Sequence, residues 1–115
     1  MTITIFHNPA CGTSRKVLER IRASGAEPDI VEYLHHPPTR DELTAMLQDM
    51  QLKPRELLRM QEAEYAQAGL DDMSLPDQRV VDAMVEHPIL MNRPIVRTPK
   101  GIKLCRPAEE VDTLL

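Results

Sequence analysis

The sequence predicts an α/β domain in which a mixed β-sheet is flanked by helices, and the order of its periodic segments carries this prediction. A strand, a helix and a second strand open the chain, and a hairpin with a short helix closes it. Between them, Leu, Met and Val recur at helical spacing. We therefore expect a helical insertion between a βαβ unit and a ββα unit.

The βαβ unit comes first. Residues 2–6 alternate apolar and polar side chains, and residues 29–34 are rich in β-branched residues, so both are predicted strands. The helix between them is predicted to begin with Thr13 or Ser14 as its cap and to end at Gly25. A short βαβ unit has parallel strands with a right-handed crossover, so the two strands should be parallel.

Several helices are predicted in the insertion. Thr39 and Glu42 fit a capping box, and the helix after them carries a Leu and Met stripe suited to a core. Pro54 is a suitable first residue for a short helix, and Gly69 is a suitable end for another. Residues 74–85 repeat the capped amphipathic pattern, which predicts one more helix.

The end of the chain changes period. Residues 95–98 and 102–105 are β-type segments, and Pro99 and Gly101 between them suit a type I turn, which predicts an antiparallel hairpin. Pro107 followed by acidic residues is typical of the start of a helix, so a short terminal helix is expected.

Composition limits the classes of function. The 115 residues match one ordinary domain, so we expect a single domain over residues 1–115. A formal net charge of -4 argues against nucleic acid or an anionic membrane as the main partner. No apolar run approaches the ~20 residues that span a bilayer, and no signal-peptide pattern is present, so we expect a cytoplasmic protein. His7 and Cys11 lack a second close ligand pair apart from His35-His36, so no metal is expected.

Cys11 is the leading candidate for a reactive residue. It follows the break at Asn8-Pro9 and directly precedes a helical pattern, which places the thiol at the mouth of a helix. The unpaired N–H groups of a first helical turn stabilise a thiolate and attract anions. A buried apolar cysteine is the alternative, but residues 12–15 are a poor apolar lining.

The spacing around Cys11 separates this chain from two thiol motifs. Dithiol oxidoreductases use Cys-x-x-Cys, but Ser14 occupies the second position and cannot resolve a mixed disulfide, so the reducing thiol must come from another molecule. The Cys-x5-Arg anion loop of the tyrosine phosphatases needs Arg where Val17 stands. Cys105 fits a packed or incidental thiol better than a nucleophile, and we expect no intramolecular disulfide.

Three segments resemble the glutathione- and glutaredoxin-dependent arsenate reductases. They are HNPACGTSR at residues 7–15, ELLR at residues 56–59, and HPILMNRPIV at residues 87–96 together with LCRP at residues 104–107. The resemblance covers nearly the whole chain and implies a thioredoxin-like fold, with a cis peptide bond before Pro94.

The resemblance also implies roles for particular residues. By this resemblance, Cys11 would attack arsenate and His7 would influence its thiol. The oxyanion is held by three arginines, Arg59, Arg93 and Arg106. The resemblance further implies glutathione as the co-substrate and glutaredoxin as the partner, and with it we expect no bound cofactor.

The chemistry of these side chains is consistent with these roles, independently of the resemblance to the family. A guanidinium group pairs two oxygens of a tetrahedral anion at once, where an ammonium offers one point charge. Asn8 and Ser14 either donate to the bound anion or cap the turn and the helix. His7, at the end of a strand, is either a structural histidine or a partner of the thiolate.

Two other functions stay open. One is a monothiol thiol-disulfide oxidoreductase that acts on another substrate. The other is a redox-regulated binding protein similar to the Spx proteins that bind RNA polymerase, which usually carry Cys-x-x-Cys and so differ from this chain at Ser14.

Overall fold

Four short strands form one mixed sheet in the order β2-β1-β3-β4 in the computed structural model, which describes residues 2–115. The strands are β1 (Thr4–His7), β2 (Asp29–Glu32), β3 (Ile95–Thr98) and β4 (Gly101–Leu104). β1 pairs in parallel with β2 and antiparallel with β3, which in turn pairs antiparallel with β4. Helix α1 (Gly12–Ala23) connects β1 to β2, so the predicted βαβ unit, hairpin and thioredoxin-like fold are confirmed.

The chain divides into two compact units. The first contains the described residues up to His36 together with Arg93–Leu115, and it holds the sheet, α1 and a terminal 3₁₀ helix (Ala108–Leu114). The second, Pro37–Asn92, is the predicted helical insertion. A single domain over residues 1–115 stays a prediction.

The core of the first unit is apolar and includes Cys105. Alternate residues of a strand point to opposite faces of the sheet, so His7 lies on the same face as Ile5, towards α1. Helix α1 packs against the terminal 3₁₀ helix. The buried cluster comprises Ile3, Ile5, Val17, Ile21, Val96, Cys105, Ala108, Val111 and Leu114. This packing fixes the end of β1 beside the first turn of α1.

The helical unit is built around its longest helices. Its elements are α2 (Arg40–Met50), α3 (Pro54–Leu57), α4 (Ala63–Gln67), α5 (Asp77–Glu86) and a 3₁₀ helix (Pro88–Leu90). The predicted capping box is confirmed, since Thr39 Oγ1 accepts the N–H of Glu42 and Glu42 Oε1 accepts the N–H of Thr39. Helices α2 and α3 both pack against α5. No helix within residues 2–115 is long and apolar enough to cross a membrane.

Two predicted helix starts are wrong. Helix α1 begins at Gly12 with Cys11 as its N-cap, because the hydroxyl of Ser14, predicted as a cap, bonds elsewhere. Helix α5 begins at Asp77 rather than near Ser74, because the N–H and hydroxyl of Ser74 both donate to Asp72 Oδ1. In each case a local polar contact moves the start of the helix.

The strand limits also differ from those predicted. β1 extends from Thr4 to His7 instead of covering residues 2–6, and β2 ends at Glu32. Gly101 pairs with Thr98 inside the hairpin and has a φ of 144°, a conformation that favours glycine. The predicted cis peptide bond before Pro94 is present, and the bond before Pro107 is also cis.

Candidate active site

Cys11 lies where β1 turns into α1. Its backbone is extended, with φ -94° and ψ 123°, and its N–H donates to the carbonyl oxygen of Asn8 at 3.0 Å. Its own carbonyl accepts the N–H of Arg15 at 3.0 Å and so begins the helix. The thiol is partly exposed at the helix N-terminus, as the sequence predicts.

The surroundings of Cys11 favour the thiolate. Burial by itself raises the pKa of the thiol, but four hydrogen bonds together lower the pKa by more than burial raises it. The donors are the Ser14 N–H, the guanidinium groups of Arg93 and Arg106, and the Thr13 N–H. The result is a pKa lowered from 9.0 to about 7. About half of Cys11 is therefore ionised at pH 7, the form that acts as a nucleophile.

The antiparallel pairing of β3 with β4 brings Arg93 and Arg106 together beside Cys11. Arg106 Nη1 donates to the carbonyl oxygen of Arg93 at 2.9 Å and lies 3.7 Å from Cys11 Sγ. The N–H of Cys105 donates to the carbonyl oxygen of Pro94 at 2.9 Å, which aligns the two segments. Two of the three predicted arginines are thus next to the thiol.

His7, Asn8 and Ser14 form a buried hydrogen-bond group beside the same turn. His7 Nδ1 lies 2.6 Å from Ser14 Oγ, and the N–H of Asn8 donates to that oxygen at 3.1 Å. Asn8 Oδ1 accepts the N–H of Ala10 at 3.0 Å. The turn-stabilising role predicted as one alternative for Asn8 is therefore present, and anion binding by Asn8 and Ser14 stays a prediction.

The imidazole of His7 is neutral at pH 7. Burial lowers its pKa below the ordinary 6.5, Glu32 opposes the change, and the positive charges of Arg15 and Arg22 add to it. A neutral imidazole offers one donor and one acceptor. His7 therefore faces Ser14 without a positive charge of its own.

Arg59, the third predicted arginine, belongs to the helical unit. Its N–H donates to the carbonyl oxygen of Leu90 at 2.8 Å. Its guanidinium group lies 3.3 Å from Glu62 Oε1 and 3.2 Å from Asn92 Oδ1. These contacts hold the side chain in place, and its contact with an oxyanion stays a prediction.

Some contributors are not visible in the sequence pattern. Arg15 Nη1 donates to the carbonyl oxygen of Pro9 at 2.8 Å and ties the loop before Cys11 to the helix after it. Thr13 and Ser14 act on the thiol through backbone N–H groups, which every residue but proline has. The helical pattern after Cys11 predicts N–H donors at the thiol, but the predicted cap at Thr13 or Ser14 does not indicate that these two residues supply them.

Cys105 has a different environment. It is fully buried, and burial raises the pKa of its thiol to about 12. The prediction of a packed thiol is therefore confirmed. Both cysteines are free, and residues 2–115 contain no group of three His, Cys, Asp or Glu side chains arranged to hold a metal ion.

Comparison with known proteins identifies the family. Residues 6–114 match the ArsC family. An arsenate reductase of Escherichia coli (strain K12) is 55% identical over 113 residues, which cover 98% of this chain and 80% of that protein. One of Rhizobium meliloti (strain 1021) is 52% identical over 115 residues, or 100% of this chain and 82% of that protein. The solved arsenate reductase from Vibrio cholerae has a TM-score of 0.95 at 35% identity and covers 100% of this chain and 98% of its own. The chain therefore belongs to the ArsC family.

Proposed function

We propose that this protein is an arsenate reductase in which the Cys11 thiolate attacks arsenate and glutathione and glutaredoxin complete the reduction to arsenite. The observation that carries the proposal is a thiol with a pKa of about 7 whose sulfur lies 3.7 Å from an arginine nitrogen. A nucleophile and a cation that can bind an oxyanion are thus in one place. Membership of the ArsC family supports arsenate as the substrate.

The first step forms a bond between Cys11 Sγ and arsenic. One arsenate oxygen takes up a proton and leaves as water, which gives an arsenate thioester. Arg93 and Arg106 neutralise the remaining oxygens as their charge rearranges. The resemblance assigns the same task to Arg59, and the proposal keeps that assignment.

The second step needs two electrons, and two thiols supply them. Glutathione attacks at the thioester, Cys11 and glutathione become a mixed disulfide, and As(V) leaves as arsenite. Glutaredoxin then reduces the mixed disulfide and regenerates the Cys11 thiol. Because both electrons come from thiols, the cycle requires no bound cofactor.

A reducing thiol from another molecule is consistent with the positions of the two cysteines in this chain. Ser14 occupies the position of a resolving cysteine, and Cys105 is buried with a pKa of about 12. Glutathione is therefore the proposed co-substrate and glutaredoxin the proposed partner. Reduced glutathione is abundant in the cytoplasm, which is the location we propose.

A coupled assay tests the function. Arsenate is added to the protein with glutathione, glutaredoxin, glutathione reductase and NADPH, and oxidation of NADPH is followed. We expect turnover that requires arsenate and glutathione, and none with Cys11→Ala. Thioredoxin and its reductase should not replace glutathione.

The same assay separates the alternative functions. If arsenate leaves NADPH unchanged but, with glutaredoxin omitted, the protein accelerates the reduction of a small disulfide by glutathione, the protein is a monothiol oxidoreductase with another substrate. If neither compound is turned over although the Cys11 thiol titrates near pH 7, the enzymatic proposal is wrong.

A further inference from the structure

Ser14 is a polar residue in a fully buried position. Buried polar groups in folded proteins are almost always hydrogen-bonded, and the hydroxyl of Ser14 has two partners. Its oxygen lies 3.1 Å from the N–H nitrogen of Asn8 and 2.6 Å from His7 Nδ1. The side chain therefore joins the end of β1 to the first turn of α1.

The direction of one hydrogen bond follows from the groups involved, and the direction of the other depends on the tautomer of His7. A backbone N–H only donates, so the oxygen of Ser14 accepts from Asn8. The imidazole of His7 is neutral at pH 7 because burial lowers its pKa. With its proton on Nε2, the ring accepts the hydroxyl proton of Ser14 at Nδ1. That proton is then committed to His7 and is not available to an anion.

The main chain of Ser14 also acts on the thiol. Its N–H is one of the donors that lower the pKa of Cys11. Two further hydrogen bonds connect Cys11 to Ser14 through Asn8. The N–H of Cys11 donates to the carbonyl oxygen of Asn8, and the N–H of Asn8 donates to Ser14 Oγ. Side chain and main chain of Ser14 thus belong to one hydrogen-bonded ring that includes Cys11.

We propose that Ser14 is a positioning residue, whose hydroxyl holds His7 and Asn8 so that its backbone N–H stays directed at Cys11 Sγ. The inference deepens the proposed function and rests on Cys11 as its nucleophile. It assigns the hydroxyl a role different from binding the substrate anion.

The test compares Ser14→Ala with Ser24→Ala. Ser24 is a matched control, because it is a serine at the other end of α1 whose hydroxyl donates to the carbonyl oxygen of Ile21. The rate of alkylation by iodoacetamide is measured against pH. It reports the thiolate of Cys11 without arsenate, and Cys105, with its pKa of about 12, does not contribute near neutral pH.

We expect Ser14→Ala to raise the pKa of Cys11 by about one unit. The ionised fraction at pH 7 then falls from about a half to about a tenth, so alkylation slows roughly five-fold there and recovers above about pH 9. Ser24→Ala should match the wild type. Reduction of arsenate by Ser14→Ala should follow the same pH curve with little change in KM.

Other outcomes overturn the proposal. An unchanged titration curve with a raised KM for arsenate means that the hydroxyl binds the anion. An unchanged curve with an unchanged KM means that Ser14 does not act on the thiol at all. Failure of the reductase assay alone leaves the alkylation result in force, so the two hypotheses can be judged separately.

A second measurement needs no variant. Nitrogen NMR of the wild-type imidazole should show His7 with its proton on Nε2 and a bare Nδ1 at pH 7. The amide resonance of Ser14 should shift with a midpoint near 7 as Cys11 ionises. A proton on Nδ1, or an amide that does not respond, contradicts the proposed arrangement even if Ser14→Ala does not fold.

Discussion

Removing the guanidinium group of Arg106 should raise the pKa of the Cys11 thiol. Arg106 Nη1 lies 3.7 Å from Cys11 Sγ, and it is one of four groups that lower this pKa from 9.0 to about 7. That change raises the thiolate fraction at pH 7 from about one in a hundred to about one in two. A neutral Gln at this position removes the contribution of Arg106 to this lowering of the pKa.

The expected rise in the pKa of Cys11 follows from the loss of one of these four donors. We expect Arg106→Gln to raise the pKa of Cys11 by about half a unit to one unit. The thiolate fraction at pH 7 then falls to between about a quarter and a tenth, which slows alkylation roughly two- to five-fold. Arg106→Lys keeps the charge, but an ammonium cannot reproduce the planar fork, so kcat/KM for arsenate should fall with a smaller change in pKa.

Alkylation by iodoacetamide over a pH series centred near 7 measures both variants. Arg97→Gln is the control, because Arg97 lies on β3 of the same hairpin and its guanidinium group is above the ring of Phe6, 5.5 Å from the centroid. The control should titrate as the wild type does. The reasoning is refuted if Arg106→Gln keeps the midpoint of the wild type.

Three further predictions concern the reduction cycle. Cys11→Ser should abolish arsenate reduction, whereas Cys105→Ser should leave it within a few-fold; equal losses in the activity assay would overturn the single-thiol scheme. Arg93→Lys and Arg59→Lys should each lower kcat/KM for arsenate, because a lysine pairs only one oxygen, and the circular dichroism spectrum should not change. Wild-type kinetics in both variants would mean that other donors bind the anion. Mass spectrometry of protein trapped after arsenate and glutathione should find one glutathione on Cys11, and a bridge between Cys11 and Cys105 would contradict the external donor.

Local interactions made much of the fold predictable. The capping box of Thr39 and Glu42 joins residues three positions apart, so the pattern of residue types contains the contact itself. The parallel pairing of β1 and β2 follows from the helix that connects them, because a helical crossover joins parallel strands. The N-cap of α1 is Cys11 and not Thr13 or Ser14, because the carbonyl and side chain of Asn8 form the turn that places Cys11 at the cap.

The candidate site depends on contacts between distant parts of the chain. Arg106 and Cys11 are 95 positions apart, and no periodicity indicates that a hairpin brings them together. The helical pattern predicts Cys11 as a nucleophile and the resemblance assigns Arg106 to the anion, but neither indicates the distance between the two side chains. The contact of Ser14 with His7 spans seven positions and joins a strand to a helix, so the sequence left Ser14 open between capping a helix and binding an anion.

The two cysteines of this chain show how position decides reactivity. Both are thiols in the same unit, but the pKa is about 7 at Cys11 and about 12 at Cys105. Cys11 faces helix N–H groups and two arginines, whereas burial is the main influence on Cys105. At pH 7 the thiolate fraction of Cys105 is on the order of one in a hundred thousand. A buried thiol that remains protonated cannot attack a sulfur or arsenic adduct at Cys11, so the second thiol of the proposed cycle has to come from a separate molecule.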